Sequence, residues 1–106
     1  MVTVGLLIRL QARPGKESDV ETFLEGVMPI IRDEPATTAL FGVRFGPSEY
    51  GIFNAFPDDA GRAAHVSGLA ASALFERADE LFDSAPSVEP VDILAAKVPG
   101  GEAVLR

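Results

Sequence analysis

His65 is the only histidine in the chain. Imidazole is the side chain that ordinarily titrates near neutral pH, so His65 is the ready acid or base. One reading makes it a base that removes a proton from a phenol or steadies an anion. The other makes it the end of a helix, bonded to a carbonyl and favoured there by the helix dipole. Asn54 and Tyr50 alternate with Ile52 and Phe56 on one face of an extended run. If that face meets helices, Asn54 and Tyr50 offer hydrogen bonds to a carbonyl or phenol inside an aromatic box. If it faces a partner, they are interface polar groups. Arg44 could hold an anionic oxygen, or form an ion pair with Glu49 across a hairpin. Phe41, Phe45, Phe53 and Phe56 could line a cavity for an aromatic molecule, or be plain core.

Other chemistry is excluded or unsupported. The chain has no cysteine, which removes thiol nucleophiles, thiolate metal sites and disulfides. One histidine among scattered carboxylates matches no metal-ligand spacing, so no metal is expected. No glycine-rich loop leads from a strand into a helix to cradle phosphate. Sixteen acidic residues against nine Lys plus Arg give a net charge of −7, with the basic residues scattered singly. Such a surface repels phosphate backbones, so no nucleic-acid partner is expected. The apolar run Val4 to Leu10 contains Arg9 and is too short to span a membrane. No targeting signal is visible, and a cytoplasmic protein is the default expectation.

These side chains must be positioned by a single domain, since 106 residues leave no room for a second core. The expected domain is 1–106, with its core at 2–98 and a short tail from 99. Val2 to Leu10 alternates as a strand. Val20, Phe23, Leu24, Val27, Ile30 and Ile31 follow helical spacing, with Pro29 expected to end or kink the helix. Ser18 and Glu21 have capping-box spacing. Thr37 to Phe45 and Glu49 to Phe56 read as a hairpin. Asp58 is a good N-cap for a short helix through about Val66. Ser67-Gly68 marks a break before a longer helix to about Asp83. Val88 to Val98 is a last extended segment, with Pro90 suggesting a sheet edge or a bulge. The tail begins at Gly100-Gly101, and Val104 and Leu105 could dock.

The order β-α-β-β-α-α-β predicts an α+β ferredoxin-like sandwich on one antiparallel sheet. Helices cover one face of such a sheet. The other face is also apolar whichever parity is chosen, so a symmetric homodimer is expected to cover it.

Several short motifs then converge. Arg13-Pro14-Gly15-Lys16-Glu17 follows the first strand, and Glu34-Pro35 follows the first helix. Phe56-Pro57-Asp58 leads to Ala64-His65. In this arrangement the chain resembles the antibiotic biosynthesis monooxygenase-like domain, over about residues 2–98. The resemblance implies a dimeric α+β barrel with a pocket in each subunit between helices and sheet. It also implies oxidation of a small aromatic, such as a polyketide, anthrone or quinol, by molecular oxygen without a metal or organic cofactor. Members without established activity point to the alternative, a non-catalytic dimeric module that binds a small ligand.

The chain departs from the family pattern in places. Ala36 replaces the Gly that usually follows Glu-Pro. Asn54 stands where an acidic residue is frequent, and Phe56 where Trp is common. The haem-degrading branch needs an Asn on the first strand, a Trp, and a His ligand on the later helices. This chain has no Trp, and its only Asn is on the third strand, so haem is not expected. If the chain is such a cofactor-independent enzyme, His65, Asn54 and Tyr50 are the residues to test, with Arg44, Phe41, Phe53 and Phe56 around the ligand.

Overall fold

The computed structural model describes residues 1–98 and the backbone of Gly101–Val104. Strands β1 (Val4–Gln11), β2 (Ala39–Arg44), β3 (Glu49–Phe56) and β4 (Ser87–Asp92) form one sheet in the order β2-β3-β1-β4. Every neighbouring pair is antiparallel. The fold is the expected α+β ferredoxin-like arrangement. Helices α1 (Glu17–Gly26), α2 (Met28–Arg32), α3 (Asp59–Val66) and α4 (Leu69–Leu81) lie in the connections.

Strand parity divides the sheet cleanly. Val4, Leu6, Ile8 and Leu10 of β1 are buried, as are Tyr50, Ile52, Asn54 and Phe56 of β3. This is the helix-covered face. Val20, Phe23 and Val27 pack on it from one side, and Leu74, Leu81 and Phe82 from the other. Fully burying each of these large apolar side chains is worth about 1.5–3 kcal/mol, which fixes the register against slippage. The opposite face carries Phe41, Val43 and Phe45 in the open, with Leu7 and Phe53 partly covered.

The expected first helix is two helices. α1 stops at Gly26, and Pro29 sits in the first turn of α2. The Pro29 ring has no N–H for the carbonyl one turn back, so the chain ends one helix and starts another. The Ser18–Glu21 box does not form: Lys16 is the N-cap position, without a side-chain cap. The Asp58 cap does form, accepting from the Gly61 N–H at 2.9 Å. Pro90 lies in β4, which is a sheet edge, as its missing donor requires.

The expected last strand is also divided. β4 ends at Asp92 because β1, its partner, begins at Val4, which is paired with Asp92. One further bond, Ile93 N–H to the Thr3 carbonyl at 3.0 Å, closes that edge. The chain then forms β5 (Ala95–Val98), which pairs with β6 (Gly101–Val104) in a two-stranded sheet of its own. The stretch expected as a tail from Gly101 is therefore a strand. The expected docking of the Val104 and Leu105 side chains lies outside the described residues.

Candidate functional site

The helix-covered face holds two polar clusters, one toward each end of β3. The first is built on α3. Arg62 donates from Nη1 to the Gly5 and Val91 carbonyls, at 3.2 and 3.3 Å, and so ties the helix to β1 and β4. This places His65, one residue before the helix end, in the interior at 6% exposure. Its ring packs against Phe56, with centroids 5.4 Å apart.

His65 Nδ1 lies 2.7 Å from Glu34 Oε1, in the turn after α2. The Thr37 hydroxyl donates to the same oxygen at 2.8 Å. Where the Glu34 carboxylate is ionised, that oxygen accepts from both groups and Nδ1 carries the ring hydrogen. In the neutral ring Nε2 is then left as the acceptor. A Cβ built on Gly68, the N-cap of α4, would stand 3.3 Å from Glu34 Oε2. The start of α4 therefore lies beside that carboxylate oxygen.

Two side chains of this cluster are not satisfied. Asn54 is 0% exposed, yet neither its Oδ1 nor its Nδ2 has a hydrogen-bond partner among the described residues. Glu34 Oε2 is likewise buried and unpartnered. A buried polar group left without a partner costs about 1–3 kcal/mol. Such orphaned groups mark a place for a ligand or ordered water.

An apolar cavity of about 60 Å³ reaches His65. His65 is its only polar lining residue, and Leu6 and Leu40, which flank Asn54 in register on either side, line it too. His65 also lines an outer cleft of about 280 Å³, together with Glu34 and Thr37. The His65–Glu34 pair thus stands in the wall between an apolar interior and the surface.

The second cluster lies four residues back along β3, about 13 Å away at strand spacing. The Tyr50 hydroxyl donates to Glu21 Oε2 at 2.6 Å, and Arg44 Nη1 donates to the same oxygen at 3.3 Å. The hydrogen bond to Glu21 holds the Tyr50 hydroxyl above the usual phenol range, with burial and the Glu21 charge adding to it and Arg44 opposing. These groups border a surface cleft of about 380 Å³. Among the described residues, no three histidine or carboxylate side chains lie close enough to hold a metal ion.

The residues singled out in the sequence therefore fall into three places. His65 and Phe56 come together, and Asn54 lies two residues before Phe56 on the same buried face of β3. Tyr50 and Arg44 share their sheet face but stand at its other end. Phe41 and Phe53, with Phe45, lie on the open face, because their parity in β2 and β3 is opposite to that of Asn54. Arg44 pairs with Glu21 and not with Glu49. His65 bonds a carboxylate and not a carbonyl. Glu34 is the residue the sequence reading missed as part of the site. Its position before Pro35 read only as a helix end.

A protein of unknown function from Nitrosomonas europaea matches 95% of this chain and 98% of its own, at 46% identity and a TM-score of 0.92. The two chains belong to one family. A Mycobacterium tuberculosis protein matches at 16% identity and a TM-score of 0.75, over 84% of this chain and 92% of its own. A Caulobacter crescentus protein named as a candidate antibiotic biosynthesis monooxygenase matches at 16% identity and a TM-score of 0.75, over 87% and 90%. These two likenesses are in fold: the domain is antibiotic biosynthesis monooxygenase-like in its architecture. No family model and no curated protein matches the chain. No helix among the described residues is long and apolar enough to cross a membrane.

Proposed function

We propose that the chain is a cofactor-independent monooxygenase that oxidises a small aromatic, an anthrone, quinol or related polyketide, with molecular oxygen. The observation that carries this reading is buried His65, paired with Glu34, in the wall of an apolar cavity that the strand neighbours of the unsatisfied Asn54 amide also line. Glu34 fixes the ring so that Nε2 is the proton acceptor. Nε2 takes a proton from an acidic C–H or phenolic O–H of the substrate. The Asn54 Nδ2–H group donates to the substrate oxygen that gains negative charge, and water is excluded by the aliphatic walls. For an anthrone, the resulting carbanion gives one electron to oxygen. The two radicals combine to a peroxide, and its O–O bond breaks as the second C–H proton leaves. One oxygen atom stays as a carbonyl and the other departs as water, with the proton on His65 returned to it.

The open sheet face supports a homodimer. Phe41, Val43 and Phe45 are each more than a third exposed, and a monomer rarely leaves an apolar patch of several such residues uncovered. Phe41→Glu is expected to convert a dimeric mass in solution to a monomeric one. Retention of the dimer would place the interface elsewhere. The cysteine-free composition supports a cytoplasmic site of action.

A second reading keeps the fold and drops the chemistry: a dimeric module that binds a small apolar ligand. The cavity of about 60 Å³ favours it, since it is too small for a tricyclic anthrone. Oxygen uptake by the purified protein, with chelator present, separates the two across a panel of anthrones and quinols. Uptake above the spontaneous rate and lost on heat denaturation supports the monooxygenase. Ligand uptake without oxygen consumption supports the binding module.

A further inference from the structure

The inner cavity measures about 60 Å³. Pockets that bury drug-sized ligands run to roughly 300–1,000 Å³, and an engineered cavity that takes up benzene is about 150 Å³. No aromatic ring enters this space until part of the wall moves. Most of the lining is buried or half-buried, and three residues are exposed. Val66, Phe75 and Val88 are 51%, 53% and 41% exposed. They come from the end of α3, the middle of α4 and the edge strand β4, which has no neighbour on its far side in the four-stranded sheet. The mouth of the cavity is therefore the gap between these three elements.

The cavity exists because α4 turns small residues toward the sheet. Ala70 and Ala71 line it, where longer side chains would fill it. One turn after Ala71 comes Phe75, the largest side chain of the three at the mouth. A helical aromatic side chain has two open χ1 wells, near 180° and −60°. The Phe75 ring can therefore change place while α4 keeps its hydrogen bonds.

We propose that Phe75 is the gate of this cavity and sets the size of the ligand it admits. With the ring in place the cavity is closed to aromatics. With the ring swung outward, the interior joins the gap beside Val66 and Val88 and accepts a single flat ring, whose edge then reaches His65. Ligand affinity is lowered by the small fraction of molecules in the open form, so deleting the ring removes that penalty. This inference rests on the cavity being the ligand site. It does not rest on the oxygen chemistry.

The test uses benzene as probe and the methyl NMR signals of Leu6, Ile8 and Leu74 as readout, in the wild-type chain, Phe75→Ala and Ala71→Leu. The open-gate variant is expected to bind benzene about tenfold more tightly than wild type, with those methyl signals shifting together. Ala71→Leu fills the interior and is expected to abolish the shifts. Ala71→Val serves in its place if the larger side chain prevents folding. Equal benzene affinity in Phe75→Ala and wild type would overturn the gate, as would unchanged binding in the filled variant. Oxygen consumption is measured separately on the same samples. Its absence, with gate behaviour intact, would count against the monooxygenase reading alone.

Discussion

The two polar clusters on the helix-covered face use similar ingredients and reach opposite states. At one end, Tyr50, Glu21 and Arg44 satisfy one another, and both charged partners reach the surface. At the other, Glu34 and His65 are paired, yet Glu34 Oε2 and both polar atoms of Asn54 are buried without partners. A satisfied cluster contributes to folding and needs nothing further. An unsatisfied one is held in place by the surrounding core and gains when a ligand arrives. The difference sets a satisfied polar group and an unsatisfied one on a single strand.

The largest expected effect distinguishes the ends by rate. If His65 is the base, His65→Ala lowers oxygen consumption about 10²–10⁴-fold. Tyr50→Phe leaves the rate near wild type. Similar losses in both variants would erase the contrast drawn here.

The second effect is on stability. Asn54→Val replaces an unpaired buried amide with an apolar side chain suited to a strand. It is expected to raise the unfolding free energy by about 1–3 kcal/mol and to lower ligand affinity. Destabilisation in denaturant melts would mean that the amide is satisfied in solution. Tyr50→Phe should move the other way, costing about 0.5–1.5 kcal/mol for a lost hydrogen bond. No loss would show that the Tyr50–Glu21 bond contributes little.

The smallest effect appears at alkaline pH. The fold holds the Tyr50 phenol protonated above its ordinary range, chiefly through its hydrogen bond to Glu21. A group with a raised folded-state value adds stability that is complete below its unfolded value, about 10 for tyrosine. That stability is lost as pH rises through the folded value. Tyr50 is the only tyrosine and the chain has no tryptophan, so phenolate absorbance reports this group alone. Titration at the ordinary phenol value would contradict the geometry.

Much of the fold follows from local pattern. β3 begins at Glu49 and ends at Phe56 because the turn residues Gly46-Pro47-Ser48 and Pro57 bound an extended run. Asp58 caps α3 for the same local reason. The face of β3 was not legible, because Gly51, Phe53 and Ala55 are as apolar as Ile52 and Phe56. Only packing against α1 and α4 decides it. Glu34 was not legible as a site residue because its partner is 31 positions away. The true partner of Arg44 is 23 positions away, whereas hairpin geometry alone suggests Glu49. The β5–β6 hairpin was hidden by apolar residues that continue past Asp92, where β1 no longer offers a partner.

The most direct test follows one side-chain amide. Asn54 is the only asparagine and Gln11 the only glutamine, so the side-chain amide region of a ¹⁵N NMR spectrum holds two signal pairs. Titration with a small hydroxyaromatic ligand, under nitrogen, reads both. The Asn54 Nδ2–H pair is expected to shift and saturate while the exposed Gln11 pair stays fixed. Saturable binding that leaves the Asn54 pair unmoved would contradict it.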